Sequence, residues 1–364
     1  MNAAVIAIVL SYLYLPAAHL VAQIAGTALH YTLFAIVSLS RWKMAQWRAA
    51  DPRLLVCLIA AMGIVVTLVA IRQSRGRAFA AVGMMFASAI LAAVHHPAAA
   101  IQPGSLEITA IDVGQGDSLL VVSPEGRTML IDGGGEVGRS RGEFDYGEDV
   151  VSPYLWSRGI DRLDAVVLTH AHADHIGGLP RILENFHPRE LWLGINPEVP
   201  ALLRLEQTAE SQHVRIRYEV QGHVFDWGGA QVTVLSPPAD WEPEAQPRNN
   251  DSLTLRVAYG NTAAVLAGDA EEDLEDLIAE DLLPADLLKV AHHGSATSTT
   301  PELLEAAHPR FAVISVGAHN PFGHPDQEVL ERLQEAHVST YRTDLTGVVT
   351  FLLDGTRVTP RLRD

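Results

Sequence analysis

Cysteine is almost absent: Cys57 is the only one in 364 residues. A disulfide framework and a zinc knuckle built from thiolates are therefore excluded. Charge is also scarce, and unevenly so. No Asp, Glu, Lys or Arg occurs from Met1 to Ser40, and residues 1–100 hold one acid, Asp51, against seven basic residues. Basic residues are thin in the remainder, where 19 Lys and Arg face 42 Asp and Glu, and the whole chain carries −17. So acidic a half is not built to grip long duplex nucleic acid by bulk electrostatics. With 48% of residues apolar and 19% charged, disorder is excluded too.

Apolar residues fill the charge-free region. Ala4–Ala25 is long enough for a bilayer, which takes about 20 residues, and Pro16 would kink it. Leu54–Ile71, between Arg53 and Arg72, and Ala78–Val94, between Arg77 and the His95–His96–Pro97 break, repeat the pattern. His30–Trp47 mixes apolar residues with Trp42, Lys43, Trp47 and Arg48, which suits a helix lying in the interface. A secretory signal starts on a basic segment and has one apolar stretch, whereas this chain starts MNAAVIAIVL and repeats the stretch twice. Residues 1–97 are expected to form an all-α transmembrane segment of about three spans, making the chain a multi-pass protein of the cell (inner) membrane. Basic clusters at 41–53 and 72–77 flank the same helix on opposite sides, so the positive-inside rule does not orient it.

The pattern changes at the Pro/Gly/Ala linker 98–105, and residues 106–364 read as α/β. Strands are expected at Leu106–Ile111, Ser118–Val122, Thr128–Ile131, Ala165–Leu168, Gln231–Leu235, Ser252–Ala258, Ala263–Leu266, Asp286–Val290, Phe311–Ser315 and Gly347–Leu353. Helices are expected at Val151–Arg158, Leu179–Asn185, Ala201–Ser211, Glu271–Glu280, Pro301–Ala307 and Asp326–Ala336. Strands in groups, without a strict βαβ repeat, fit two packed mixed sheets with helices outside.

One segment dominates the chemistry. The strand Ala165–Leu168 runs into Thr169-His170-Ala-His172-Ala-Asp174-His175-Ile-Gly177-Gly178. Imidazole and carboxylate are ligands for zinc and similar divalent ions. Four of them on one turn make sense if two ions are held side by side. This segment resembles the signature of metallo-β-lactamase-fold hydrolases. Its companions narrow the resemblance to ComEC-type DNA-uptake proteins: Asp112-Val-Gly-Gln-Gly-Asp117, Ile131-Asp132-Gly-Gly-Gly135, Asn249-Asn-Asp-Ser252, Gly268-Asp269, His292-His-Gly-Ser295 and Asn320-Pro-Phe-Gly-His324-Pro325.

The resemblance implies a metallo-β-lactamase-like αββα sandwich binding two divalent ions, Zn2+ or Mn2+. His170 and His172 would hold one ion, Asp174 and His175 the other, and Asp269 both. One of His292 and His293, preferably His293, would complete the second set. Asp112, Gln115, Asp117, Asp132, Asn250 and Ser252 would support the ligands from behind. Catalysis would fall to Asp174, Asp269, His324 and His292. The superfamily usually supplies another His before the bridging Asp, but His187, His213 and His223 stand in no such context, and Asn249–Ser252 occupies that place.

The implied activity is phosphodiester hydrolysis of DNA, single-stranded or nicked, during natural transformation, with the hydrolase domain on the extracytoplasmic side. Basic candidates for DNA contact are few: Arg139, Arg141, Arg248 and Lys289. Two alternatives stay open, an anchored hydrolase of another ester and a metal-stabilised docking domain for other uptake proteins. Only about three helices of that family's larger membrane domain are matched, so the chain is expected either to be a fragment of a longer gene, missing its channel-forming half, or to have lost transport and kept an anchored hydrolase.

Overall fold

The computed structural model describes residues 11–12, 14–40, 54–73, 75–94, 99, 101–135 and 144–362. They form two compact units, Met1–His96 and Pro97–Asp364. Among its described residues the first unit holds the helices α1 (Leu15–Ser40), α2 (Leu54–Gln73) and α3 (Arg75–Val94). Pro16 stands in the first turn of α1, where its missing N–H leaves no bond unmade. Leu15–Leu39 is, among the described residues, the one helix long and apolar enough to cross a membrane. The start of the expected first span and residues 41–53, with Trp42, Lys43, Trp47 and Arg48, lie outside the described residues.

Among its described residues the second unit contains fifteen strands in two sheets. The first sheet takes β1 (Leu106–Ala110), β2 (Leu119–Val122), β3 (Thr128–Ile131), β4 (Ala165–Leu168), β5 (Glu190–Leu193), β6 (Arg215–Tyr218), β14 (Val349–Leu353) and β15 (Val358–Leu362), in the order β15-β14-β1-β2-β3-β4-β5-β6. The second takes β7 (Val224–Trp227), β8 (Ala230–Ser236), β9 (Thr254–Tyr259), β10 (Thr262–Leu266), β11 (Leu287–Lys289), β12 (Phe311–Ile314) and β13 (Ser339–Arg342), in the order β13-β12-β11-β10-β9-β8-β7. Each sheet is antiparallel on one side and parallel on the other, with β3 to β6 and β10 to β13 as the parallel runs.

Alternation along the strands builds three apolar layers, because successive side chains face opposite sides of a sheet. Leu106, Ile108, Val121, Val167, Leu255, Val257 and Phe351 meet between the sheets. Leu120, Leu130, Val166 and Leu168 face outward beneath α4 (Ser152–Ser157), α5 (Leu179–Phe186) and α6 (Pro200–Ser211). Val265, Leu288, Ala312 and Ile314 do the same beneath α7 (Glu272–Ala279), α8 (Pro301–Ala307) and α9 (Gln327–Glu335). The result is an αββα sandwich. The carboxyl ends of β3, β4, β10, β11 and β12 all release into loops, which is where open α/β sheets place ligands.

Candidate metal centre

Those loops bring most of the expected residues together. Asp132 directly follows β3 in a left-handed conformation, φ 60°. Its carboxylate accepts from the Thr169 N–H at 2.9 Å and the Thr169 hydroxyl at 2.7 Å, and lies 2.8 Å from His175 Nδ1. That contact turns His175 Nε2 toward Asp269 Oδ2, 3.1 Å away. Asp269 enters from the loop after β10, and its N–H is held by Ser252 Oγ at 3.0 Å. His293 Nδ1 is tied to the Ser315 carbonyl at 2.9 Å, so its Nε2 faces Asp174 Oδ2 at 3.3 Å and Asp269 Oδ2 at 3.5 Å.

His170 and His172 form the adjoining corner. His170 Nε2 stands 2.9 Å from His172 Nδ1, and its Nδ1 lies 3.1 Å from the Thr169 hydroxyl. His172 turns Nε2 to the Pro247 carbonyl at 2.9 Å. Ligand atoms of His170, His175 and Asp269 lie within 4.8 Å of one another, as do those of Asp174, His175 and His293. His187, His213 and His223 belong to no such group among the described residues. His223 instead pairs with Glu219 at 2.8 Å.

Glycines let the loops approach this turn. A Cβ on Gly116 would stand 2.5 Å from the Asp174 carbonyl oxygen, and one on Gly135 would overlap the Ala173 carbonyl. Close approach allows the Asp117 N–H to reach the Asp174 carbonyl at 3.2 Å and the Gly133 N–H to reach the His175 carbonyl at 2.8 Å.

Two adjacent histidines separate here. Instead of alternating on a strand, His292 and His293 occupy consecutive left-handed positions after β11, φ 47° and 54°. His293 is buried in the cluster. His292 lies outside it, with Nδ1 3.2 Å from Glu271 Oε1 and its ring 5.6 Å from that of His324. Gln115 accepts the Gly317 N–H at 3.2 Å, and Asn250 accepts the Glu271 N–H at 2.8 Å, so both fasten loops around the cavity. Asp112 does not support the cluster. It is exposed, and its carboxylate takes the Gly114 N–H at 3.2 Å, closing its own turn.

Lys289 also departs from expectation. It cannot serve as a contact for DNA, because it is fully buried at the end of β11. Its ammonium pairs with Asp117 Oδ2, donates to the Gly268 carbonyl at 2.9 Å and lies 3.7 Å from Asp269 Oδ1. Arg248 remains at the surface, paired with Glu244 at 2.8 Å and lying over Trp241. Arg139 and Arg141 lie outside the described residues.

Electrostatics bind the cluster into one unit. Burial opposes charge on His175, but Asp269 and Asp132 outweigh it and hold the imidazole well above its ordinary value. His293 is raised in the same way, burial being outweighed by Asp269 and Asp174. Conversely, His175 and His293 overcome burial and keep Asp269 well below the ordinary carboxylate range. His170 is lowered by burial and by His175. His324 is lowered by partial burial and by His292 and His293. Asp117 Oδ1, Asp269 Oδ1 and His293 Nε2 are buried without a hydrogen-bond partner. Buried acceptors left unmade are costly. An imidazole and carboxylate donor set with orphaned lone pairs fits a zinc- or manganese-type ion. A cavity of about 330 Å³ opens onto Asp174, Asp269 and His293, with Phe322 and His324 also in its wall.

Sandwich and site together define the class. Residues 111–319 match the metallo-beta-lactamase superfamily, and the chain belongs to that family. Within it the chain is a homologue of competence proteins. It is 37% identical to ComE operon protein 3 of Bacillus subtilis over 257 residues, 67% of this chain and 33% of that protein. It is 28% identical to Competence protein ComA of Neisseria gonorrhoeae, over 69% of this chain and 33% of that one. The chain thus spans about a third of the length of these relatives. The crystal structure of the metallo-beta-lactamase fold protein YhfI from Bacillus subtilis aligns with a TM-score of 0.43 at 14% identity, covering 65% of this chain and 95% of that one.

Proposed function

We propose that residues 106–364 form a metal-dependent phosphodiesterase that cleaves DNA, single-stranded or nicked, during DNA uptake. Residues 1–97 would anchor it in the cell membrane as several spans, with the hydrolase on the extracytoplasmic side. One observation carries the reading: Asp174, His175, Asp269 and His293 converge on orphaned lone pairs at the floor of an open cavity. The match to competence proteins supports DNA as the substrate.

Asp174, His175, Asp269 and His293 would hold one ion, and His170, His172 and Asp269 the other. A Zn2+ or Mn2+ pair bound there supplies Lewis acidity, lowering the pKa of a water and neutralising charge on a phosphoryl oxygen. The remaining work belongs to side chains. Asp269 orients the attacking water between both ligand sets. Asp132 and the Ser315 carbonyl fix the rings of His175 and His293, so no reorganisation is needed as charge develops. His324, kept neutral, presents an N–H at the cavity mouth to the leaving oxygen. His292, held by Glu271, forms the wall beside it.

The full chain in detergent, reconstituted with zinc or manganese, should hydrolyse bis(p-nitrophenyl) phosphate and degrade DNA. Asp269→Asn should reduce both by at least ~10²-fold, because it disturbs both ligand sets. Inertness toward both substrates with two ions bound would favour a docking domain. Cleavage of another ester alone would favour a small-molecule hydrolase.

A further inference from the structure

We propose that Phe322, backed by His324, is a stacking platform for an unpaired nucleobase at the mouth of the metal cavity. The inference rests on the phosphodiesterase reading and names what would select its substrate. Phe322 is 49% exposed, although it sits on a tightly fastened loop. The Asn320 side chain accepts the N–H groups of Phe322 and His324, both at 3.1 Å. It also donates to the carbonyls of Gly317 at 3.0 Å and His324 at 2.7 Å. Gly317 is in turn pinned by Gln115, and a Cβ there would stand 2.7 Å from the Gln115 nitrogen. The phenyl ring is therefore held out in water by the loop, against the cost of exposing it.

Its orientation is specific as well. The ring lies nearly parallel to that of His324, 15° apart with centroids at 5.9 Å. His324 is followed by His292 at 5.6 Å and His293 at 6.2 Å, so a row of rings leads from solvent to the ligand cluster. Phe322 and His324 share the cavity wall with Asp174 and Asp269. A base laid on Phe322 would hold its own sugar-phosphate toward the cavity floor.

Charge makes stacking the better source of affinity. Residues 101–364 carry 42 acids against 19 basic residues, and Lys289 is buried against Asp117. Phosphate-gripping cations are what confer tight, sequence-blind binding, and they are scarce here. Stacking on an aromatic face needs no cation and accepts every base. It also excludes a base already stacked inside a duplex, so the platform selects unpaired ends or gaps.

The test is fluorescence anisotropy with the full chain in detergent, in EDTA to prevent hydrolysis. The probes are fluorescein-labelled oligothymidylate and an abasic oligonucleotide of the same length. Phe322→Ala should weaken binding of the thymidylate about ten-fold and of the abasic strand less than about two-fold. Phe322→Trp should restore it, which a merely structural role would not require. Equal losses on both strands, no loss on either, or no measurable binding overturns the platform. Hydrolysis of bis(p-nitrophenyl) phosphate by wild-type protein separates the two readings. Its absence sinks the phosphodiesterase, whereas its presence with a base-independent Phe322→Ala sinks the platform alone.

Discussion

Replacing Lys289 by Met would expose how the centre is held together. Methionine keeps most of the apolar stem and removes the ammonium, so lost packing is small. What disappears is the counter-charge of Asp117, a carboxylate 1% exposed, and a donor to the Gly268 carbonyl. Breaking a buried pair by removing one partner costs about 3–5 kcal/mol, since the other charge stays buried and uncompensated. At about 2–4 °C per kcal/mol for a unit of this size, the unfolding midpoint should fall by roughly 6–20 °C. Asp117→Asn in the same chain should return at least half of the loss, because an amide needs no counter-cation, and the two changes are coupled. Tryptophan emission reports the transition, as Trp192 and Trp227 are buried between the sheets. Melting in EDTA keeps metal loss out of the comparison. A fall below about 2 °C, or a double variant weaker than Lys289→Met alone, would refute the reasoning.

Asp132→Ala releases both Thr169 and His175, so metal analysis after dialysis should show at least half the bound ion lost while circular dichroism is unchanged; full occupancy would contradict the supporting role. Gly135→Ala places a methyl group on the Ala173 carbonyl and should yield insoluble or early-melting protein, whereas wild-type melting would show that the loop can retreat. The pH dependence has a definite sign. His175 and His293 are raised in the metal-free protein, so their stabilisation is full below about pH 6.5 and is lost as pH rises through their folded values. EDTA-treated protein should therefore melt lower at about pH 9 than at about pH 6.5, and equal midpoints would overturn the assignment. Asp174 and Asp269 are depressed, so their share is present above about pH 4 and lost on acidification.

Four of the five strands the sequence did not reveal have a common position. β6, β7, β13 and β15 are the four outer edges of the two sheets, and with β5 they are the strands missing from the sequence expectation. An edge strand faces solvent on one side and is kept polar and short, which removes the alternation that marks central strands. STYR and VTPRL are of this kind. The interior strands other than β5 and the six outer helices were legible because their apolar positions follow the sheet or helix period. The ligand cluster was legible for another reason: four donors fall within six residues of one turn. Lys289 was not, since nothing in Leu287-Leu288-Lys289-Val290 says which face its side chain takes. Asp112 misled because its motif does border the cluster, through Gly116 and Asp117, while its own carboxylate turns away.

Charge in the centre has a division of labour that bears on how ions enter. Four carboxylates, Asp117, Asp132, Asp174 and Asp269, surround one permanent cation, Lys289, which pairs with Asp117. In the metal-free centre the neighbouring carboxylates favour a proton on His175 and on His293. His170 is different, because burial and the neighbouring His175 keep it neutral with a lone pair available. On the proposed ligand sets, an ion at His170 and His172 meets a ready imidazole, whereas one at Asp174, His175 and His293 must displace protons. Metal binding that releases protons strengthens as pH rises. The set with more ligands is then the one that gains most from alkaline conditions, and the His170 and His172 set is the less pH-sensitive. Lys289 takes no part in this exchange. It supplies a fixed charge that keeps Asp117 in place while protons and ions trade on the other side of Asp269.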